Sequence, residues 1–195
     1  MVKTASTELA IGEFELPAFT LPVPATGATF SSAELAGKPA LVMFICCHCP
    51  FVVLLKDGIK TLTDEYAAKG VAVVAISSNS VETHPQDGPD AIAAEVKDKG
   101  FAFPYCFDGD AAVAKAFRAA CTPDIYVFAA DGKLAYHGQF DDARPGNGVD
   151  VTGADLRAAL DDVLAGRPVG RPIKRSLGCN IKFAPGNEPD YFLSM

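Results

Sequence analysis

No apolar run in the 195-residue chain approaches the roughly 18 residues that a membrane-spanning helix needs. The longest candidates, Pro39 to Cys47 and Val71 to Ser77, are strand-sized. Basic charge is also in short supply. The 17 Lys and Arg face 24 Asp and Glu, giving a formal net charge of −7, which excludes the positive footprint of a nucleic-acid binder. Cysteine is sparse too, at six residues against 49% hydrophobic residues. A chain with that much apolar material builds a core without staples, so a small disulfide scaffold and a disordered acidic protein are both excluded. Met1 to Thr20 carries one lysine, three glutamates and no apolar h-region. No secretory signal is expected there, and the expected location is cytoplasmic. No repeat or long linker divides the chain, so a single domain is expected over 1–195, with 166–195 as an extended tail.

What is present reads as α/β. Ala40–Ile45 and Val71–Ile76 are continuous apolar runs rich in β-branched residues, the pattern of strands covered on both faces. Between them Phe51, Leu55, Ile59, Leu62 and Tyr66 recur at helical spacing, and Gly70 is the stop signal. Strand, helix and strand in that order form a parallel βαβ unit. Upstream, alternating apolar residues from Phe14 to Phe30 predict a hairpin, and Ser31 with Glu34 predicts a capping box on a short helix. Downstream follow a polar loop at Ser77–Gly88, a helix at Pro89–Lys99, a short extended stretch at Phe101–Phe107 and a short helix at Ala111–Arg118. Ile125–Phe128 and Lys133–Phe140 then flank an Asp131-Gly132 turn and predict an antiparallel hairpin. A Gly-rich loop at Asp141–Gly153 leads into a last helix marked by Leu156, Leu160, Val163 and Leu164.

Three of the six cysteines fall within four residues, Cys46-Cys47-His48-Cys49, where the first central strand meets its helix. In a reducing compartment that clustering points to redox chemistry or metal binding. The first thiol of a CxxC at a helix start faces unpaired backbone N–H groups and the positive end of the macrodipole, which favours thiolate. The second is close enough to form a small disulfide ring. Cys46 is therefore expected to attack and Cys49 to resolve. A protonated His48 would add positive charge beside Cys46; a solvent-facing His48 would do nothing. Cys47 reads as a third redox thiol, a metal ligand or a small filler.

Four blocks carry a family resemblance: Phe44-Ile-Cys-Cys-His-Cys-Pro-Phe-Val52, Ala120-Cys-Thr-Pro-Asp124, Gly138 to Gly148, and Ser176-Leu-Gly-Cys-Asn-Ile-Lys182. From about Gly12 to Phe183 the chain resembles thioredoxin-like proteins of the alkyl hydroperoxide reductase/thiol-specific antioxidant (redoxin) group. The resemblance implies a thioredoxin-like fold with a central mixed sheet flanked by helices, an N-terminal hairpin and an extended C-terminal tail. It also implies thiol:disulfide oxidoreductase or antioxidant activity. The sequence departs from the group at Cys47, where Asn is usual, and near Val53, where Lys is frequent. Thr122-Pro123 occupies the place of the cis-proline loop that faces the CxxC and pairs with extended substrates. Cys121 is then either a neighbouring redox thiol or an inert buried one, and Asp124 either a proton acceptor for Cys49 or a turn cap. Cys179 is either a packed anchor or a distant resolving thiol, Cys106 is a core residue, and Arg144 either holds a substrate carboxylate or, more simply, pairs with Asp141 or Asp142. No role is assigned to His84 or His137.

The leading expectation is a CxxC oxidoreductase acting on protein or small-molecule disulfides, with peroxides as a further substrate class. Its reductant is expected to be thioredoxin- or glutathione-like, with no cofactor, bound metal, nucleic acid or membrane. The first alternative is a peroxidase. Aligning Cys49 with the peroxidatic cysteine of P-x-x-x-T-x-x-C puts Cys46 where Thr stands and Val42 where Pro stands, which removes the hydroxyl that positions peroxide. The second is a soft-metal protein in which Cys46, Cys47, His48, Cys49 and Cys121 offer ligands for Cu(I) or Zn. Consecutive residues at a helix start point in different directions, which argues against that set.

Overall fold

The computed structural model describes residues 3–193; residues 194 and 195 of the expected tail lie outside the described residues. The central sheet is built from β4 (Ala40–Phe44), β5 (Ala72–Ser77), β6 (Tyr105–Phe107), β8 (Asp124–Phe128) and β9 (Leu134–Gly138) in the order β6-β5-β4-β8-β9. β4 runs parallel to β5 from Ala40↔Ala72 to Phe44↔Ile76 and antiparallel to β8, while β8 and β9 form the hairpin across the Asp131-Gly132 turn. The sheet is therefore mixed, as the resemblance implies. A second hairpin, β2 (Thr20–Val23) with β3 (Ala28–Ser31), precedes it. Ser31 caps the following 3-10 turn and Glu34 completes the capping box.

Alternation along β4 sends Leu41 and Met43 to one face and Val42 and Phe44 to the other, and all four are fully buried. The first face packs against α1 (Pro50–Ala68), α2 (Pro89–Lys99) and α4 (Ala154–Leu164) through residues such as Ile59, Leu62, Ile92 and Leu160. The second closes on Phe19, Phe30 and Phe117. Each such side chain contributes about 1.5–3 kcal/mol on burial. α1 starts with Pro50, whose fixed φ suits a first helical turn, and stops at Gly70 with φ +93°, a conformation that favours glycine. α3 covers Ala112–Ala116. Among the described residues no helix is long and apolar enough to cross a membrane.

The tail differs from expectation. It carries a strand, β10 (Leu177–Asn180), and a short helix, α5 (Asp190–Leu193). β10 lies antiparallel between β1 (Lys3–Ala5) and the two-residue β7 (Cys121–Thr122), with Lys3 and Thr122 both opposite Cys179. Neither β1 nor β10 shows a local strand pattern. Both form because each supplies the other's backbone partners, and β10 also pairs with the segment before Pro123.

Candidate active site

Cys46, Cys47, His48 and Cys49 fall in the turn between β4 and α1, where the sheet's parallel strands end. The helix begins where its apolar spacing begins, so Cys46 does not stand at its start as expected. Pro50 is its first residue and Cys49 its N-cap, so the cysteine nearest the open helix terminus is Cys49 rather than Cys46. The cis peptide bond between Thr122 and Pro123 lies across from them. Thr122 meets both sulfurs: its Oγ1 is 3.5 Å from Cys46 Sγ, and its carbonyl oxygen is 3.1 Å from Cys49 Sγ. Cys121, one residue back on the strand, points away and places its sulfur 3.5 Å from the carbonyl of Pro123. Burial pushes its thiol well above the usual value.

The thiols do not titrate as the spacing suggests. Cys46 and Cys49, 1% and 0% exposed, act as a pair. Cys46 is pushed up by donating its proton to Cys49, by burial and by the Asp87 charge. Cys49 is pulled down to about 4 by the hydrogen bond from Cys46, with further help from Cys179, Thr122 and the Val52 N–H and against the opposing effect of burial. The low-pKa sulfur is thus Cys49. His48 explains part of the reversal, because it is spoken for. Its Nδ1 sits 2.5 Å from Asp87 Oδ2 and 3.9 Å from Cys46 Sγ. The Asp87 carboxylate therefore offsets any positive charge His48 brings to Cys46.

Asp87 is the residue that sequence reasoning missed. It is fully buried and accepts from the backbone N–H groups of Cys47 and His48 at 2.9 and 3.1 Å and from Asn79 Nδ2 at 2.8 Å. It shapes the CxxC turn from 39 residues away. The one available signal was position, since the Ser77–Gly88 loop leaves the carboxyl end of β5, where open α/β sheets gather their sites.

The remaining candidates resolve as follows. Cys47 is half-buried, its carbonyl accepts from Lys56 Nζ at 2.9 Å, and burial with Glu95 nearby pushes its thiol up to about 12. Cys106 is a core residue as expected. Asp124 is committed to His137 Nε2 at 2.8 Å, the Tyr126 hydroxyl at 3.1 Å and the Ala120 N–H at 3.4 Å. Arg144 reaches the carbonyl oxygens of Asp141 and Ala143 and the side chain of Gln139, not the expected carboxylates. His84 stacks on His48 with ring centroids 5.2 Å apart. The five-residue metal set does not assemble as such; among the described residues the group that could hold an ion is Cys46, His48 and Asp87, with ligand atoms within 4.8 Å. Cys179 lies 2.9 Å, sulfur to sulfur, from Cys49.

A hypothetical protein from Sinorhizobium meliloti 1021 is 48% identical, with a TM-score of 0.90 over 93% of this chain and 98% of its own. An uncharacterized conserved protein from Geobacillus kaustophilus is 42% identical, with a TM-score of 0.91 over 95% of this chain and 98% of its own. A secreted disulfide oxidoreductase from Mycobacterium tuberculosis, 20% identical with a TM-score of 0.57 over 73% of this chain and 94% of its own, shares the thioredoxin-like fold. No curated protein matches the chain. The Redoxin family model matches residues 13–156, a span that includes the CxxC turn and the cis-proline, and the chain belongs to the Redoxin family.

Proposed function

We propose that the protein is a thiol:disulfide oxidoreductase working through the Cys46/Cys49 couple, within a single domain. The observation that carries this reading is that Thr122 serves both sulfurs, one through its hydroxyl and the other through its carbonyl. With the charge on Cys49, the Cys46 thiol donates to it. When that proton passes to Cys49, the new thiol has the Thr122 carbonyl as acceptor, and the Cys46 thiolate has the Thr122 hydroxyl as donor. Charge moves between the sulfurs without water. Cys46 lies on the side of partly exposed His48, whereas Cys49 is walled by Thr122 and Cys179. Cys46 is therefore the sulfur that meets an external disulfide. Its thiolate attacks one substrate sulfur and expels the other as thiolate. Cys49 then attacks Cys46, closing the protein disulfide and releasing the reduced substrate. A thioredoxin- or glutathione-like dithiol returns the couple to the reduced state, and a reducing compartment such as the cytoplasm fits a resting dithiol.

One observation favours a second reading. A sulfur held near pKa 4 at the start of a helix is the kind that peroxide oxidises, so Cys49 could form a sulfenic acid that a neighbouring thiol condenses. The test is a pair of assays on Cys46→Ser and Cys49→Ser. Under disulfide exchange, Cys46→Ser abolishes reduction of a model disulfide. Peroxide consumption that survives Cys46→Ser but is lost in Cys49→Ser replaces exchange with peroxidase chemistry.

A further inference from the structure

The strand before the cis-proline is where an extended substrate would pair. In this chain that edge is already occupied. β10 lies antiparallel on β7 with Cys179 opposite Thr122, and the pairing continues as Ile181 N–H donates to the Ala120 carbonyl at 3.0 Å. The approach is close because residue 178 is glycine. A Cβ there would fall 2.0 Å from the Thr122 oxygen. The segment is tied at both ends, by Ser176 Oγ to the Gly138 carbonyl at 2.7 Å and by Lys182 N–H to Asn79 Oδ1 at 2.8 Å. What this strand presents to the site is a thiol. Cys179 Sγ is 2.9 Å from Cys49 Sγ, within about 1 Å of the roughly 2.05 Å of a disulfide bond. The region matched by the family model ends at residue 156, before β10 begins.

We propose that β10 is a built-in substrate of the active site and that Cys179 is a third redox-active thiol, exchanging with the Cys46–Cys49 disulfide to form Cys49–Cys179. This rests on the dithiol reading above. In the step, Cys179 gives up its proton and its thiolate attacks Cys49 Sγ. The Cys49–Cys179 bond forms and the Cys46–Cys49 bond breaks. Cys46 leaves as thiolate, hydrogen-bonded by the Thr122 hydroxyl, and takes up the proton. One disulfide and one thiol are present before and after, so no outside oxidant is consumed. The product keeps the disulfide under β10 and returns Cys46 as a thiol on the His48 side, able to engage a further disulfide while the protein is still oxidised.

The experiment is a disulfide map. Trypsin releases Ser176–Lys182 with Cys179 as its one cysteine, and in Cys46→Ser/Cys47→Ser the cysteine remaining in the CxxC peptide is Cys49. The reduced variant is treated with hydroxyethyl disulfide, quenched with iodoacetamide and mapped. A thiol held within the same molecule is present at millimolar effective concentration, so the Cys49–Cys179 crosslink should outrun reaction with micromolar protein on the order of a thousandfold and be independent of dilution. A Cys49 adduct with the reagent beside a fully alkylated Cys179 overturns the proposal. Because serine at buried position 46 carries a folding risk, the unaltered protein is mapped in parallel across a glutathione series. If it forms Cys46–Cys49 but neither protein links Cys179, the third thiol falls and the dithiol reading stands. If it links Cys49 to Cys179 without ever linking Cys46, the dithiol reading falls and Cys49–Cys179 is the couple. If no disulfide forms in either, both fall.

Discussion

Asp87 shows how a single buried carboxylate sets the chemistry of a turn it does not belong to. It organises two backbone N–H groups of the CxxC, holds His48 and raises the Cys46 thiol. Asp87→Asn removes the charge and keeps one acceptor oxygen. We expect it to destabilise the reduced protein by about 2 kcal/mol, because charge-assisted hydrogen bonds to buried N–H groups are lost. It should also accelerate alkylation of Cys46 at neutral pH, since the carboxylate no longer opposes that thiolate. Denaturant midpoints and mass mapping of iodoacetamide adducts measure both; slower labelling of Cys46 would refute the coupling. Cys49 sets the pH dependence. Its thiol falls to about 4 when folded, against about 8.5 in the unfolded chain. Between those values the unfolded state binds one more proton, so stability of the reduced protein rises with pH, by at most about 1.4 kcal/mol per unit, and this contribution is lost as pH falls through the folded value. Cys46, pushed up, is protonated in both states across that window and adds no slope. Urea midpoints at mildly acid and neutral pH should show the rise, and Cys49→Ser should flatten it.

The decisive element is β10. Gly178 admits it to β7, and the added Cβ of Gly178→Ala would lie 2.0 Å from the Thr122 oxygen and 2.6 Å from its carbonyl carbon. These are backbone atoms with no rotamer to yield, so the strand has to lift. We expect a loss of about 3 kcal/mol, faster tryptic cleavage after Arg175 and Lys182, and faster alkylation of Cys179. Gly170→Ala in the same tail is the control, since its Cβ would meet nothing nearer than an Asp162 oxygen at 3.6 Å. An equal response from both variants would mean that the tail is not specifically seated. α4 illustrates a different kind of dependence. It starts after Gly153, and the Asp141 carboxylate, from across the Gly-rich loop, accepts the Thr152 and Gly153 N–H groups at 2.7 Å each.

At the scale of the whole molecule the sheet separates two jobs. One face carries α1 and the redox turn, and the other is closed by an aromatic cluster in which Phe117 meets Phe44, Tyr126, Phe19 and Phe128 with ring centroids 5.2, 5.3, 5.9 and 6.1 Å apart. Phe117→Ala should cost about 3–5 kcal/mol through lost burial and the cavity left behind. Alkylation of Cys46, Cys49 and Cys179 in the folded protein should match that of the unaltered chain, because the cluster lies across the sheet from these three sulfurs, whereas Cys106 belongs to the cluster itself. A thermal or urea melt with mass mapping checks both halves of this expectation.

The sequence alone determined the elements whose formation is local or periodic. The β4–α1–β5 unit, α2, both hairpins and the Ser31/Glu34 capping box were legible because apolar spacing, Pro89, Gly70 and the Asp131-Gly132 turn act within a few residues of where they stand. The CxxC was legible for the same reason. Three things were decided only by tertiary structure. The charge rests on Cys49 because Cys46 donates its proton to it, and because burial and Asp87, which arrives from 39 residues away, push the Cys46 thiol up. Thr122 rather than Cys121 faces the sulfurs because strand alternation turns neighbouring side chains to opposite sides. Cys179 reaches Cys49 across 130 residues because β10, which has no strand signal of its own, finds backbone partners only once β1 and β7 are in place. Side-chain spacing records short-range preferences, whereas unpaired backbone groups and buried charges select their partners through the fold.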